Sequence, residues 1–298
     1  MSFRVIARSI SRPVWERLGE GAFAARVLAV FTQVCDLITA DGQVVALVLP
    51  QVGDGPLNMV VESTPGDLAT LEPGVPTWLE EGRLRVGGLE VALETARVWE
   101  PCPDWRRLRA CQSVCAERLP LLKDLSLEHA PEGSFLVLTS GEPGCPADPA
   151  LTESTSDALL AAARQATQAL RTGWEGDTAL LQAGAAQLAG LGGGLTPAGD
   201  DFLSGAMLWA WLAHPCPRSL CRLLVKAAAP RTTTLSAAFL RAAARGECSA
   251  AWHMLLTALS QGTHAEVATA VREVLSHGAT SGADALAGFL WAGKGPPL

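Results

Sequence analysis

Tyrosine is missing from all 298 residues, which removes the phenol from any mechanism and leaves Phe and Trp as the only aromatic rings. Charge is also scarce, with Asp, Glu, Lys and Arg making up 18% where about a quarter is usual. Hydrophobic residues reach 49%, which excludes a disordered chain. The net charge is −7, and no dense Lys/Arg cluster offers the basic footprint that DNA or RNA requires. No membrane span is expected, because the uncharged run from Thr178 to Gly199 is broken by repeated Gly, two Gln, a Thr and a Pro. The opening MSFRVIARSISR carries Arg without acids, like a transit peptide, but it lacks an apolar signal core and reads as a first strand. The expected compartment is the cytoplasm.

The eight cysteines form no CxxC pair. Cys111 and Cys115 could share a helix face, and His214 lies two residues from Cys216, yet zinc calls for tighter paired spacing. Buried free thiols are expected instead. A chain of this length makes one large domain or two ordinary ones, and it is long enough to bury a core without staples.

The two halves follow different periods. From Phe23 to Glu100, short apolar runs rich in β-branched residues alternate with turn signals. Asp41-Gly42 is the dipeptide that favours a type I′ hairpin. From Asp104 onward, Ala/Leu-rich segments with three- and four-residue apolar steps predict helices over 153–171, 177–189, 200–213, 218–229, 235–245, 250–260, 265–276 and 283–291. Gly133–Gly141, GSFLVLTSG, reads as a strand within that half. The fold class is therefore α+β, with an N-terminal small β barrel or sandwich (residues 1–110) followed by a mainly helical C-terminal domain (residues 111–298). The boundary falls between about residues 100 and 130.

Chemistry concentrates in LGGGLTPAGDDFLSG, Leu191–Gly205. Gly192, Gly193, Gly194 and Gly199 allow backbone N–H groups to approach an anion, and a helix start adds unpaired donors and a positive dipole end. Thr196-Pro197 reads as an N-cap followed by Pro at N1. No Lys completes a Walker A loop and no GxGxxG follows a strand, so no nucleotide fingerprint is present. Asp200 and Asp201 are the only formal charges between Asp177 and Arg218. As adjacent acids in apolar surroundings, they are candidates for holding Mg²⁺ or a polar ligand, because Mg²⁺ takes one or two carboxylates together with waters and a substrate phosphate. A phosphate laid on bare carboxylates would be repelled, which calls for a metal or a substrate N–H.

A second segment repeats the frame G-x-D-x-L-x-G. Gly199, Asp201, Leu203 and Gly205 match Gly282, Asp284, Leu286 and Gly288, and Thr196 and Thr280 precede them. Ser281 and Gly282 open this second loop as further ligand-binding candidates. Asp201 and Asp284 are expected to approach each other across one cleft, with Asp200, Asp201 and Asp284 as catalytic candidates. His277, just upstream, is a candidate proton donor. A third segment, Arg231-Thr232-Thr233-Thr234-Leu235-Ser236, offers an N-cap with spare hydroxyls, and Arg231, Thr234 and Ser236 are binding candidates.

On GLGGGLTPAGDDFLSG, TTTLSAAFLRAAARGE and ATSGADALAG the chain resembles the bacterial AllH family. That resemblance implies a subunit of an oxamate carbamoyltransferase acting with AllF- and AllG-like partners in anaerobic allantoin breakdown. Oxalurate and phosphate would give oxamate and carbamoyl phosphate. A phosphate or carbamoyl-phosphate ligand suits a glycine loop with paired acids. The other class of reading is a non-catalytic ligand-binding or assembly subunit of a multi-subunit metabolic complex.

Overall fold

The computed structural model describes residues 3–139 and 155–294. The chain divides into two compact units, one running to Pro103 and taking in Glu247–Ala250, the other formed by Asp104–Gly246 and Ala251 onward.

The first unit is a closed β barrel. Its strands are β1 (Phe3–Ser11), β2 (Ala24–Val30), β3 (Val34–Thr39), β4 (Val44–Val48), β5 (Asn58–Val61), β6 (Pro76–Glu80), β7 (Arg83–Val86), β8 (Leu89–Ala92) and β9 (Arg97–Trp99). Eight strands follow the order β5-β4-β3-β2-β6-β7-β8-β1, and β1 closes the ring by pairing antiparallel with β5 while β9 adds beside β1. Closure removes the exposed edges that invite wrong pairing. Two short helices, α1 (Arg12–Gly19) and α2 (Pro65–Leu68), punctuate the strands. Period-2 alternation fills the core. Cys35 and Leu37 on β3, Leu84 and Val86 on β7, and Leu89 and Val91 on β8 are fully buried in one cluster. The opposite face of β7 and β8 carries charge, where Glu90 pairs with Arg4, Arg83 and Arg85 at 3.1–3.7 Å.

The Asp41-Gly42 turn forms, but not as type I′. Only Gly42 has a positive φ, at 81°, and Gly42 N–H donates to the Thr39 carbonyl. The result is a three-residue loop ending in a left-handed glycine, which needs positive φ at one position rather than two.

The second unit is helical. It begins with α3 (Trp105–Ala110), α4 (Gln112–Glu117) and α5 (Leu119–Glu128) and continues with α6 (Thr155–Trp174) and α7 (Thr178–Leu188). α8 (Ala198–Ala213), α9 (Pro217–Ala228) and α10 (Thr234–Ala244) follow, then α11 (Ala250–Gln261), α12 (His264–Leu275) and α13 (Ser281–Gly293). Asp177 caps α7 by accepting from Ala179 and Leu180 N–H at 2.9 and 3.0 Å. Thr263 and Glu266 form a capping box at the start of α12. None of the helices among the described residues is long and apolar enough to cross a membrane.

The expected strand at Gly133–Gly141 is instead a 3₁₀ turn at Phe135–Thr139, and Ser140 and Gly141 lie outside the described residues. Strand preference there rested on apolar β-formers, but a strand needs a neighbouring ladder, and among the described residues the helical unit supplies none. Phe135 is buried against Phe202, with ring centroids 6.4 Å apart. Of the cysteines, Cys35, Cys115, Cys221 and Cys248 are buried free thiols, and Cys145 lies outside the described residues.

α8 and α13 cross in close contact at the centre of this unit. A Cβ on Gly205 would fall 1.8 Å from the Ala285 carbonyl oxygen, and one on Gly288 would fall 1.8 Å from the Phe202 carbonyl oxygen. No side chain fits at either place.

Candidate functional site

The acids lie in the first turns of the two crossing helices, Asp200 and Asp201 on α8 and Asp284 on α13. Carboxylates are favoured at helix N-termini by the macrodipole, yet these three are placed in different company.

Asp200 is 1% exposed and tied down. It accepts from Gly190 N–H with both oxygens at 3.3 Å, from the Thr232 hydroxyl at 2.5 Å and from the Ser236 side chain. Burial raises its pKa against these hydrogen bonds, which favour the charged form. Asp200 therefore finds its partners in a backbone N–H and two hydroxyls and not in a cation. Asp200 fastens the glycine loop and the start of α10 to α8, through partners too distant in sequence for an i±4 inspection to find.

Asp201 is half-buried, bonded to the Ser281 side chain, and its Oδ2 is buried without a hydrogen-bond partner. Its pKa stands well above the ordinary value, first through burial and then through the charges of Asp284 and Asp200. Asp284 is 0% exposed. Its Oδ1 accepts from Phe135 N–H at 2.6 Å and its Oδ2 is unpartnered. Burial pushes its pKa up to about 6 against hydrogen bonds from Phe135 and Thr280. The two acids lie close enough on the crossing helices for their charges to interact.

The remaining candidates fall into groups. Gly193 and Gly194 are exposed with open space around them, whereas Gly192, at φ 115°, packs on Ala198. Gly199 and Gly282 serve close packing: a Cβ would meet the Leu188 carbonyl oxygen at 2.0 Å and the Val274 carbonyl oxygen at 1.9 Å. Thr196 does not cap α8. Pro197 occupies the cap position, without a side-chain cap bond, because the helix begins one residue later at Ala198. Thr196 Oγ1 instead meets Ser281 Oγ at 3.1 Å, joining the two loops. Ser236 is buried on Asp200, and Thr234 is exposed.

Within the threonine run, Thr232 serves Asp200 while Thr233 caps α10 by accepting from Ser236 N–H at 3.0 Å. Thr233 also donates to the Leu195 carbonyl at 2.5 Å. Arg231 is exposed and donates to the Ala227 carbonyl at the end of α9. His277 bonds the Glu273 carbonyl through Nδ1 at 2.9 Å, and no hydrogen bond joins its ring to the three acids among the described residues. Sequence reasoning missed Gly190, Thr232, Thr280 and the Phe135 N–H. Thr232 carried a signal as a spare hydroxyl in the run, but a backbone N–H 149 positions from Asp284 carried none.

Among the described residues no group of three or more His, Cys, Asp or Glu is gathered to hold a metal ion. Asp201 and Asp284 each keep a buried oxygen without a partner, and the Thr196 and Ser281 hydroxyls link the two loops beside Asp201.

Two family models match the chain. One is the AllH family N-terminal domain over residues 6–98, and the other is the oxamate carbamoyltransferase subunit AllH over residues 188–293. No curated protein and no solved structure matches. Between them the two models take in the barrel strands and the helices that carry all three acids, and the chain belongs to the AllH family.

Proposed function

We propose that this chain is the ligand-holding subunit of a carbamoyltransferase that converts oxalurate and phosphate into oxamate and carbamoyl phosphate, assembled with AllF- and AllG-like subunits. The observation that carries the reading is the pair Asp201 and Asp284. Brought from distant segments to the first turns of crossing helices, each keeps a buried oxygen without a partner.

A phosphate oxygen bonds to the carbamoyl carbon, the bond from that carbon to the oxalyl nitrogen breaks, and the nitrogen takes a proton to leave as the amide of oxamate. The proton that phosphate gives up equals the one the nitrogen gains. A carboxyl kept protonated by burial is suited to deliver it. Asp201, whose pKa is held well above the ordinary value by burial and two neighbouring acids, takes this role. Its neutrality also lifts the repulsion that an anion would otherwise meet. Asp284, once ionised, accepts from the carbamoyl NH₂ group. Asp200, with its oxygens in use, positions the loop.

Mg²⁺, where the reaction requires it, would be held by Asp201 and Asp284 in their ionised forms, in place of the proton-donor role of Asp201, with waters and a substrate phosphate filling its other positions. The deciding experiment assembles the chain with its two partner subunits and follows carbamoyl phosphate formation from oxalurate and phosphate, with EDTA or added Mg²⁺. D201N and D284N should each lower kcat at least tenfold in complexes that still assemble. Full activity in both variants would return the chain to a non-catalytic assembly role.

A further inference from the structure

Away from the acids, the helical unit carries a cavity of about 740 Å³ whose wall includes Trp211, Arg218, Ser219, Arg222, Arg241 and Arg245. That volume lies inside the range of about 300–1,000 Å³ typical of small-molecule sites. No acidic residue lines it. Arg218 and Arg222 stand one turn apart on α9, and Arg241 and Arg245 stand one turn apart at the end of α10. Like charges four apart weaken a helix, and Arg218 sits in the first turn of α9, at the end where the dipole disfavours cations. The Arg218–Arg222 pair thus runs against local stability, whereas Arg241 and Arg245 stand at the C-terminal end of α10, which favours cations.

Two of the four stand unpaired: among the described residues, Arg222 and Arg241 make no hydrogen bond or ion pair. Arg218 lies over the Trp211 ring, 5.9 Å from its centroid. Trp211 is 9% exposed, and its indole N–H has no acceptor. Its stacking partner Trp105, 6.0 Å away, donates to the Gly246 carbonyl at 2.8 Å. Every polar side chain on the wall offers N–H or O–H donors, and only the Ser219 hydroxyl can also accept.

The structure assigns this cavity to a small polyanion bearing two phosphate-type groups, one for each arginine pair. A guanidinium pair grips a tetrahedral oxyanion through parallel N–H donors, and two pairs facing one cavity match two linked oxyanions better than one. The cavity opens to solvent with all four arginines exposed, and its volume matches a diphosphate-type molecule, while an acidic protein segment is the competing occupant that the test excludes. The site is separate from the Asp201–Asp284 pair and does not depend on the function proposed for it.

Inorganic pyrophosphate is the probe, titrated calorimetrically into the full chain at low and moderate salt. Expected are one saturable site, weakened by salt, and at least a tenfold loss of affinity in R222Q/R241Q, whose melting temperature without ligand should not fall. R222Q alone gives a smaller loss, and it keeps the test decisive if the double variant fails to fold. D201N should bind pyrophosphate as the parent does. The assignment is overturned by no saturable binding, by equal affinity in the arginine variants, or by a hexaglutamate peptide binding more tightly than pyrophosphate. The last result would make the patch a docking surface for an acidic segment.

Discussion

Gly205 and Gly288 occupy equivalent places in the α8–α13 crossing, each against the backbone of the other helix. The carbonyls they meet, Ala285 and Phe202, lie 83 positions apart (285 − 202), as do the glycines (288 − 205). The repeated G-x-D-x-L-x-G frame is thus a packing device related by a local twofold. It also sets Asp201 and Asp284 at matching depths on their helices. A methyl at either glycine would lie 1.8 Å from a carbonyl oxygen, so the helices must part. G205A and G288A should each cost at least about 2 kcal/mol, in the range of overpacked cores or beyond. G193A, with nothing within 4 Å of the new Cβ, should stay within about 0.5 kcal/mol. Urea unfolding of the three variants decides this, and a mild G205A would mean the crossing is looser than described.

Thr232 and Thr234 should separate just as clearly. T232V removes the 2.5 Å donor to buried Asp200 and leaves a carboxylate oxygen short of a partner. The expected loss is about 1–3 kcal/mol. T234A changes an exposed hydroxyl and should shift stability by no more than about 0.5 kcal/mol. Equal effects in a denaturant series would dismiss the tether between α8 and the start of α10.

Most of the architecture was legible because it rests on local periodicity. β7 and β8 alternate at period two, and all eight expected helices form within about three residues of their expected bounds. What escaped was set by neighbours. Phe135–Thr139 has strand composition but meets helices, so its N–H bonds Asp284 rather than a ladder. The site was half legible. Two acids in an uncharged stretch pointed to the place, and the repeated frame pointed to Asp284. Composition could not divide the labour, however, because Asp200 takes its partners from Gly190, Thr232 and Ser236, ten or more positions away.

The buried acids give stability a pH dependence with a definite sign. The folded pKa of Asp284 is raised to about 6, above the unfolded value of about 3.9. The folded state therefore binds the proton more tightly. The stabilisation is fully present below about pH 4 and is lost as pH rises towards 6. Asp36, buried in the barrel on β3 with Oδ2 unpartnered and raised to about 7, extends the loss to that pH. With EDTA present, D284N should match its parent near pH 4 and exceed it above pH 6 by on the order of 2–3 kcal/mol. D36N should show its gain up to about pH 7. Parallel melting curves across pH 4–8 measure both, and a gain that appears only at low pH would reverse the assignment.

Asp201 offers the sharpest separation of ligand work from structural work. An acid that merely caps α8 would, once replaced, cost about 0.5–2 kcal/mol and leave binding untouched. Asp201 is differently placed, because its Oδ2 has no partner and the charges of Asp284 and Asp200 press on it. Asn keeps the shape, relieves that pressure and retains an oxygen for Ser281, so D201N should melt at or above the parent temperature at pH 8. It removes the acid proton and one carboxyl oxygen, so, with Asp201 in the proposed role, binding of carbamoyl phosphate by the assembled complex should weaken at least tenfold. Melting and calorimetric titration on the same preparations read both quantities. A lower melting temperature with unchanged binding would make Asp201 a structural acid, and the role of ligand holder would then fall to Asp284 alone.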